Sequence, residues 1–214
     1  MKRILTIVLL TIVLYSCQQT ELEYSCDPEL NKFVLENKVE FSQIAVSELA
    51  TYDVALQRAI FRSWDAEKKR SAWLDKLYQV LGSISFSKAE SDHIQKLIDH
   101  LDVGYFINEN IQKNLEIRTK FANEWLNYAS KDLGWSEEFI SFLVYRLYTN
   151  QSQLDAELNV FKSITTQTTT NSESGSCNCN TSADFCSGSA CRSNGCSTGS
   201  GCGWMWSSPC NGNC

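Results

Sequence analysis

Ten cysteines and two histidines are the side chains of this 214-residue chain best suited to covalent or metal chemistry. Eight of the cysteines fall in the last 38 residues, at Cys177, Cys179, Cys186, Cys191, Cys196, Cys202, Cys210 and Cys214. Two chemistries use cysteine at such density: disulfide cross-linking and thiolate ligation of zinc. Zinc modules usually bring their ligands in pairs two to four residues apart, often with histidine. Here the intervals run one, six, four, four, five, seven and three residues, and the tail holds no histidine. Disulfides fit better, and spacing does not choose among the many pairings that eight cysteines allow.

The histidines are His93 and His100, seven residues apart on one side of an expected helix, with Asp92 and Asp99 beside them. Two ligands without a third make a weak metal site. Both flank an apolar stripe, where a half-exposed polar residue is ordinary, so a structural role is the expectation. The chain has no glycine-rich phosphate loop, no HExxH and no evident nucleophile beside a base, so no catalytic residue, metal or cofactor is expected and the protein is read as a non-enzyme.

Positioning of the tail cysteines cannot rest on an ordinary core. Residues 177–214 contain no Leu, Ile or Val, and their larger apolar side chains are Phe185, Trp204, Met205 and Trp206. Cross-links are expected to replace a core. Trp204 and Trp206 flank Met205 in a module too small to bury two indoles fully. Two roles follow: contact with a membrane or target, which an indole's apolar body and polar N–H suit, or packing on the disulfides as a miniature core.

Charge is divided along the chain. Residues 1–17 carry +2, residues 18–176 carry a net −8 and the tail is neutral, holding only Asp184 and Arg192. No basic face is available to replace phosphate counterions, which excludes nucleic acid as an expected partner. Residues 1–17, MKRILTIVLLTIVLYSC, have a basic start and an apolar run to Tyr15, shorter than the ~20 residues of a permanent membrane span. They read as an export signal. Its end, Leu14-Tyr15-Ser16-Cys17, resembles the lipobox of bacterial lipoproteins, which implies lipidation at Cys17, a membrane anchor and, with Gln18 following, the outer membrane. Export also favours oxidised cysteines.

Between these ends the expected fold is an all-α bundle of six or seven short helices over residues 27–164, after a polar tether at 18–26. Asp27-Pro28 opens the first helix, with Leu30, Phe33, Val34 and Phe41 as its apolar face. A second is expected over Ser47–Arg62. A third follows Trp64-Asp65, buries Trp73, Leu74, Leu77, Tyr78 and Leu81, and stops at Gly82. Ser87 and Glu90 form a capping box before Ile94, Leu97, Ile98 and Leu101. A long helix over Glu109–Ser130 buries Ile111, Leu115, Phe121, Trp125 and Leu126 and ends at Gly134. Ser136 starts another, and Leu154, Leu158 and Phe161 mark a last short one. Residues 165–176, TTQTTTNSESGS, lack any apolar side chain and are expected to be a flexible linker that leaves the tail independent of the helices.

The tail resembles the fulvocin C-related bacteriocins, small eight-cysteine peptides. The resemblance runs through Cys177-Asn178-Cys179-Asn180-Thr181-Ser182-Ala183-Asp184-Phe185-Cys186, then Gly201-Cys202-Gly203-Trp204, then Cys210-Asn211-Gly212-Asn213. It implies an exported precursor whose C-terminal peptide is released to inhibit competing bacteria, with the target cell's envelope as partner. Release is expected at Gly175-Ser176, a small-residue pair in an exposed segment. The alternative is a permanently anchored surface lipoprotein that uses its cysteine-rich module for adhesion or partner binding. A further option is a helical domain that holds the tail inactive. Cys26 stands apart: if Cys17 is lipidated and the eight tail cysteines pair internally, it is left over.

Overall fold

The computed structural model describes residues 23–107, 115–147, 151–152, 154–156, 158, 178–181, 191–193 and 195–213. The export signal with Cys17, residues 18–22, the 165–176 linker with Gly175 and Ser176, and Cys177, Cys186 and Cys214 lie outside these. The described chain is mostly helical, with short strands confined to the cysteine-rich region.

Local capping chemistry sets most helix starts. Asp27 accepts from the amides of Glu29 and Leu30 at 2.8 and 3.0 Å and, with Pro28 in the first turn, opens α1 (Pro28–Glu36). α2 (Lys38–Gln43) follows after Asn37. The helix expected over Ser47–Arg62 is instead two, α3 (Val46–Leu49) and α4 (Val54–Ser63). The break is set by Asp53, whose extended backbone lets its carboxylate cap Leu56 N at 2.9 Å and start a new helix. α5 (Ala66–Ser83) is capped by Asp65 on Lys68 N at 2.7 Å and runs through Gly82 rather than stopping there. The helix ends one residue later because Ile84 is extended.

The capping box of α6 (Lys88–His100) is present, Ser87 N donating to Glu90 Oε2 at 2.8 Å and Glu90 N to Ser87 Oγ at 3.4 Å. A short 3-10 turn, Val103–Phe106, leads away from it. α7 (Leu115–Lys131) terminates before Gly134, whose φ of +68° supplies the left-handed residue that helix ends favour. α8 (Glu137–Val144) is capped by Ser136 Oγ from Phe139 N at 3.1 Å. Leu154 and Leu158 are buried in helical backbone beyond it.

Leu49, Ile60, Trp73, Leu77, Leu97 and Phe142 are among the fully buried side chains of one continuous core. Three residues expected in apolar stripes are more than a third exposed: Phe33, Tyr78 and Leu115. Phe33 still meets Phe41 edge-on, with ring centroids 5.6 Å apart. The expected tether is also packed at its end. Tyr24 and Ser25 are buried, and both amides donate to Asn31 Oδ1, at 2.8 and 3.4 Å.

The cysteine-rich region contributes a small antiparallel sheet of order β1-β3-β2, from β1 (Asn178–Cys179), β2 (Arg192–Ser193) and β3 (Gly212–Asn213). In register, Gly212 lies opposite both Cys179 and Ser193.

Candidate functional site

The end of the tail is folded into the helices. Cys202 and Ser208 exchange backbone hydrogen bonds at 3.0 and 2.9 Å, closing a tight loop that the Cys202–Cys210 disulfide also spans. Within it, Trp204–Trp206 forms a single 3-10 turn, with Met205 and Trp206 both at φ 51°. Left-handed backbone at a bulky residue costs ~1–2 kcal/mol, so two in succession require compensation. Burial provides it: Trp204, Met205 and Trp206 are 4 %, 0 % and 2 % exposed.

Their surroundings come from the helical part of the chain. The Trp206 ring meets Phe61 of α4 edge-on at 5.3 Å and Trp73 of α5 at 6.2 Å. Its indole N–H donates to the Tyr145 carbonyl at 2.9 Å, just past α8, and the Arg58 guanidinium lies 5.6 Å from its ring. Trp204 meets Trp125 of α7 at 5.4 Å and Tyr145 at 6.4 Å. The three residues therefore neither face solvent nor build a miniature core around the disulfides. They complete the core of the helical domain, which corrects the expectation of a spatially independent tail. Their placement also leaves no exposed Trp204, Met205 or Trp206 for a membrane or target in this conformation.

Two arginines four residues apart on α4 read the neighbouring backbone and sulfurs. Arg58 donates to Cys202 Sγ at 3.2 Å. Arg62 donates through Nε to the Ser200 carbonyl, through one terminal nitrogen to the Tyr24 carbonyl and through the other to Cys210 Sγ. Arg62 thus joins three segments: α4, the N-terminal stretch and the tail. Burial, reinforced by the charge of Arg58, pushes its pKa down to about 9. Nearby on α5, burial takes Lys69 down to about 8, with Arg62 adding to the effect. Gly201 (φ +101°) makes the close approach feasible, since a Cβ there would lie 2.4 Å from Arg62 Nε. On the far side, burial pushes the Tyr105 hydroxyl up to about 12, against the opposing pull of Arg118 and of Ser207 and Trp204, which it faces.

Disulfides complete the attachment. Cys179–Cys191 and Cys202–Cys210 pair within the tail, whereas Cys196 pairs with Cys26, 170 residues away. Cys26 is thus neither left over nor free, and the expected wholly internal pairing of the tail cysteines does not hold. Among the described residues the three bridges fit an oxidising, extracytoplasmic compartment, and no helix is long and apolar enough to cross a membrane.

His93 and His100 border this site, His93 through Trp125 and His100 through Tyr105. The His93 ring stacks on Trp125 at 4.4 Å; its Nε2 lies 3.1 Å from the Trp125 carbonyl, and Trp125 Nε1 donates to the His93 carbonyl at 3.1 Å. His100 stacks on Phe121 at 3.5 Å. Burial lowers both pKa values from 6.5. Well above pH 6.5 folded and unfolded chains both carry neutral imidazoles, whereas as pH falls through 6.5 the unfolded chain takes up protons first. Stability is expected to fall as pH drops from 7.5 to 5, read as a lower urea midpoint, and His93→Gln should flatten that slope. An unchanged slope in the variant would remove His93 as its source.

Family models, curated proteins and solved structures were compared with the chain. None matches it.

Proposed function

We propose that this chain is an exported, lipid-anchored bacteriocin precursor whose helical domain holds the cysteine-rich peptide in a docked, latent form. The resemblance of residues 177–214 to fulvocin C-related peptides supplies the activity class. The observation that carries latency is the burial of Trp204-Met205-Trp206 among Phe61, Trp73, Trp125 and Tyr145. An aromatic apex suited to a target envelope is withheld from it until the tail leaves. The precursor sits at the outer membrane or cell surface through Cys17, and the released peptide acts on competitors without a catalytic step, metal or cofactor. Simple attraction to anionic lipid contributes little, because each basic residue is worth about 1 kcal/mol there and the tail holds only Arg192.

A second reading is favoured by the Cys26–Cys196 bridge. A cut at Gly175-Ser176 alone leaves the tail covalently held, as expected of a permanently anchored surface lipoprotein that keeps its module for binding. One experiment separates them. Peptide 177–214, with its Cys179–Cys191 and Cys202–Cys210 bridges closed, and the full-length protein are assayed against a broad panel of related bacteria, and culture medium is analysed by intact mass. The precursor reading expects killing by the peptide alone, silence from the full-length chain and a fragment of about 4 kDa in the medium, the mass its 38 residues imply. An inert peptide and a full-length, cell-bound protein would establish the adhesin instead. Cys17→Ser should move the precursor from the membrane to the soluble fraction, and unchanged partition would remove the lipid anchor.

A further inference from the structure

The three bridges differ in what surrounds their sulfurs. Cys202 and Cys210 are 0 % and 1 % exposed, closed over by the docked loop and by Arg58 and Arg62. Cys179 is 0 % exposed; its partner Cys191 is half-buried, but its sulfur is covered on one side by β3, where a Cβ at Gly212 would lie 2.7 Å from it. Cys26 and Cys196 are both only half-buried. Gly195, next in sequence to Cys196, opens onto empty space, with nothing within 4 Å of where its Cβ would stand. A thiolate must approach a disulfide in line with the S–S bond, so access to one sulfur governs the rate when the attacking thiol is the same. Cys26–Cys196 is the bridge among the described residues with neither cysteine fully buried, and it joins the tail to the N-terminal segment.

We propose that Cys26–Cys196 is a thiol–disulfide exchange site, reduced selectively by an extracytoplasmic dithiol to unfasten the tail while its inner bridges stay closed. The proposal rests on the latent-precursor reading and supplies the step that a linker cut alone lacks. One thiolate of the dithiol attacks the Cys196 sulfur; the S–S bond breaks and Cys26 leaves as a thiolate that takes up a proton. The second thiol of the reductant then attacks the mixed disulfide, releasing Cys196 as a thiol. The reductant ends as a disulfide, and two electrons and two protons pass to the protein. After a linker cut, what holds the tail to the helices among the described residues is the docked loop with the Arg58 and Arg62 contacts. Cys202–Cys210 keeps the aromatic loop in shape for its departure.

The test uses the oxidised full-length chain, dithiothreitol as the dithiol under native conditions, timed quenching with iodoacetamide, and mapping of the alkylated cysteines by mass spectrometry. Cys26 and Cys196 are expected to be labelled at least ~10-fold faster than Cys179, Cys191, Cys202 and Cys210, which react only through local or global opening. Helical circular dichroism should persist while the first pair is labelled. Labelling of either inner pair as fast as Cys26 and Cys196, or labelling of Cys26 and Cys196 only as helical signal is lost, would overturn the proposal. This readout is independent of killing: a clasp that opens first on a chain whose peptide inhibits nothing would remove the bacteriocin reading and leave the exchange site standing.

Discussion

Trp206→Ala is expected to destabilise the whole protein by ~3–5 kcal/mol, the range for truncating a buried Trp. The side chain is 2 % exposed, and it fills the space between Phe61 and Trp73. Its loss also leaves the Tyr145 carbonyl without the indole donor it now accepts from. For a chain of this size the change corresponds to a drop in Tm of roughly 6–20 °C. The reporter should be a helical signal at 222 nm, because it is the helices that this tail residue stabilises. Tyr78→Ala, an aromatic truncation at a position 53 % exposed, serves as the control and should stay within ~0.5 kcal/mol. If the two variants melt alike, the tail is not part of the core.

Removing the clasp with Cys26→Ser and Cys196→Ser is the second large effect. A disulfide stabilises mainly by restricting the unfolded chain, and the gain grows slowly with the length of the closed loop. The loop closed here has a sequence separation of 170, against 12 for Cys179–Cys191. The loop-length relation gives about 5 kcal/mol for the first and about 3 for the second. The double serine variant should therefore fold, held by the Arg62 contacts and the docked aromatic loop, yet unfold at clearly lower urea concentration than a variant lacking Cys179–Cys191. Equal midpoints for the two variants would show that the N-terminal attachment adds nothing beyond local packing. Cleavage in the linker sharpens the comparison: the cut wild-type chain should run as two linked fragments until reduced, whereas the cut serine variant should separate under denaturing conditions without reductant.

Features whose physics is local were legible in the amino-acid order. Asp27, Asp65, Ser87 and Ser136 cap helices where their side chains suggested, because a cap needs only the next three or four residues. Gly134 lies just past a helix end for the same reason. The break at Asp53 carried the same kind of signal, an acid before an apolar-periodic run, but the stripe through Leu49, Tyr52 and Leu56 continues smoothly across it and concealed it. Cysteine density in a segment without aliphatic residues pointed to disulfides, and the described bridges at Cys179, Cys191, Cys196, Cys202 and Cys210 agree.

Only the tertiary structure decided where the tail lies. Cys26 finds Cys196 across 170 residues, and Arg62 finds Ser200 and Cys210 across a comparable span; no periodicity or spacing encodes such partners. Composition described the tail as having too little apolar surface for a core, which is true of residues 177–214 taken alone. The two indoles and Met205 instead use a core that already exists, supplied by α4, α5, α7 and Tyr145. A sequence read segment by segment assigns each segment its own interior, whereas burial is a property of surfaces brought together. That distinction turns a tail expected to stand apart into part of the helical core.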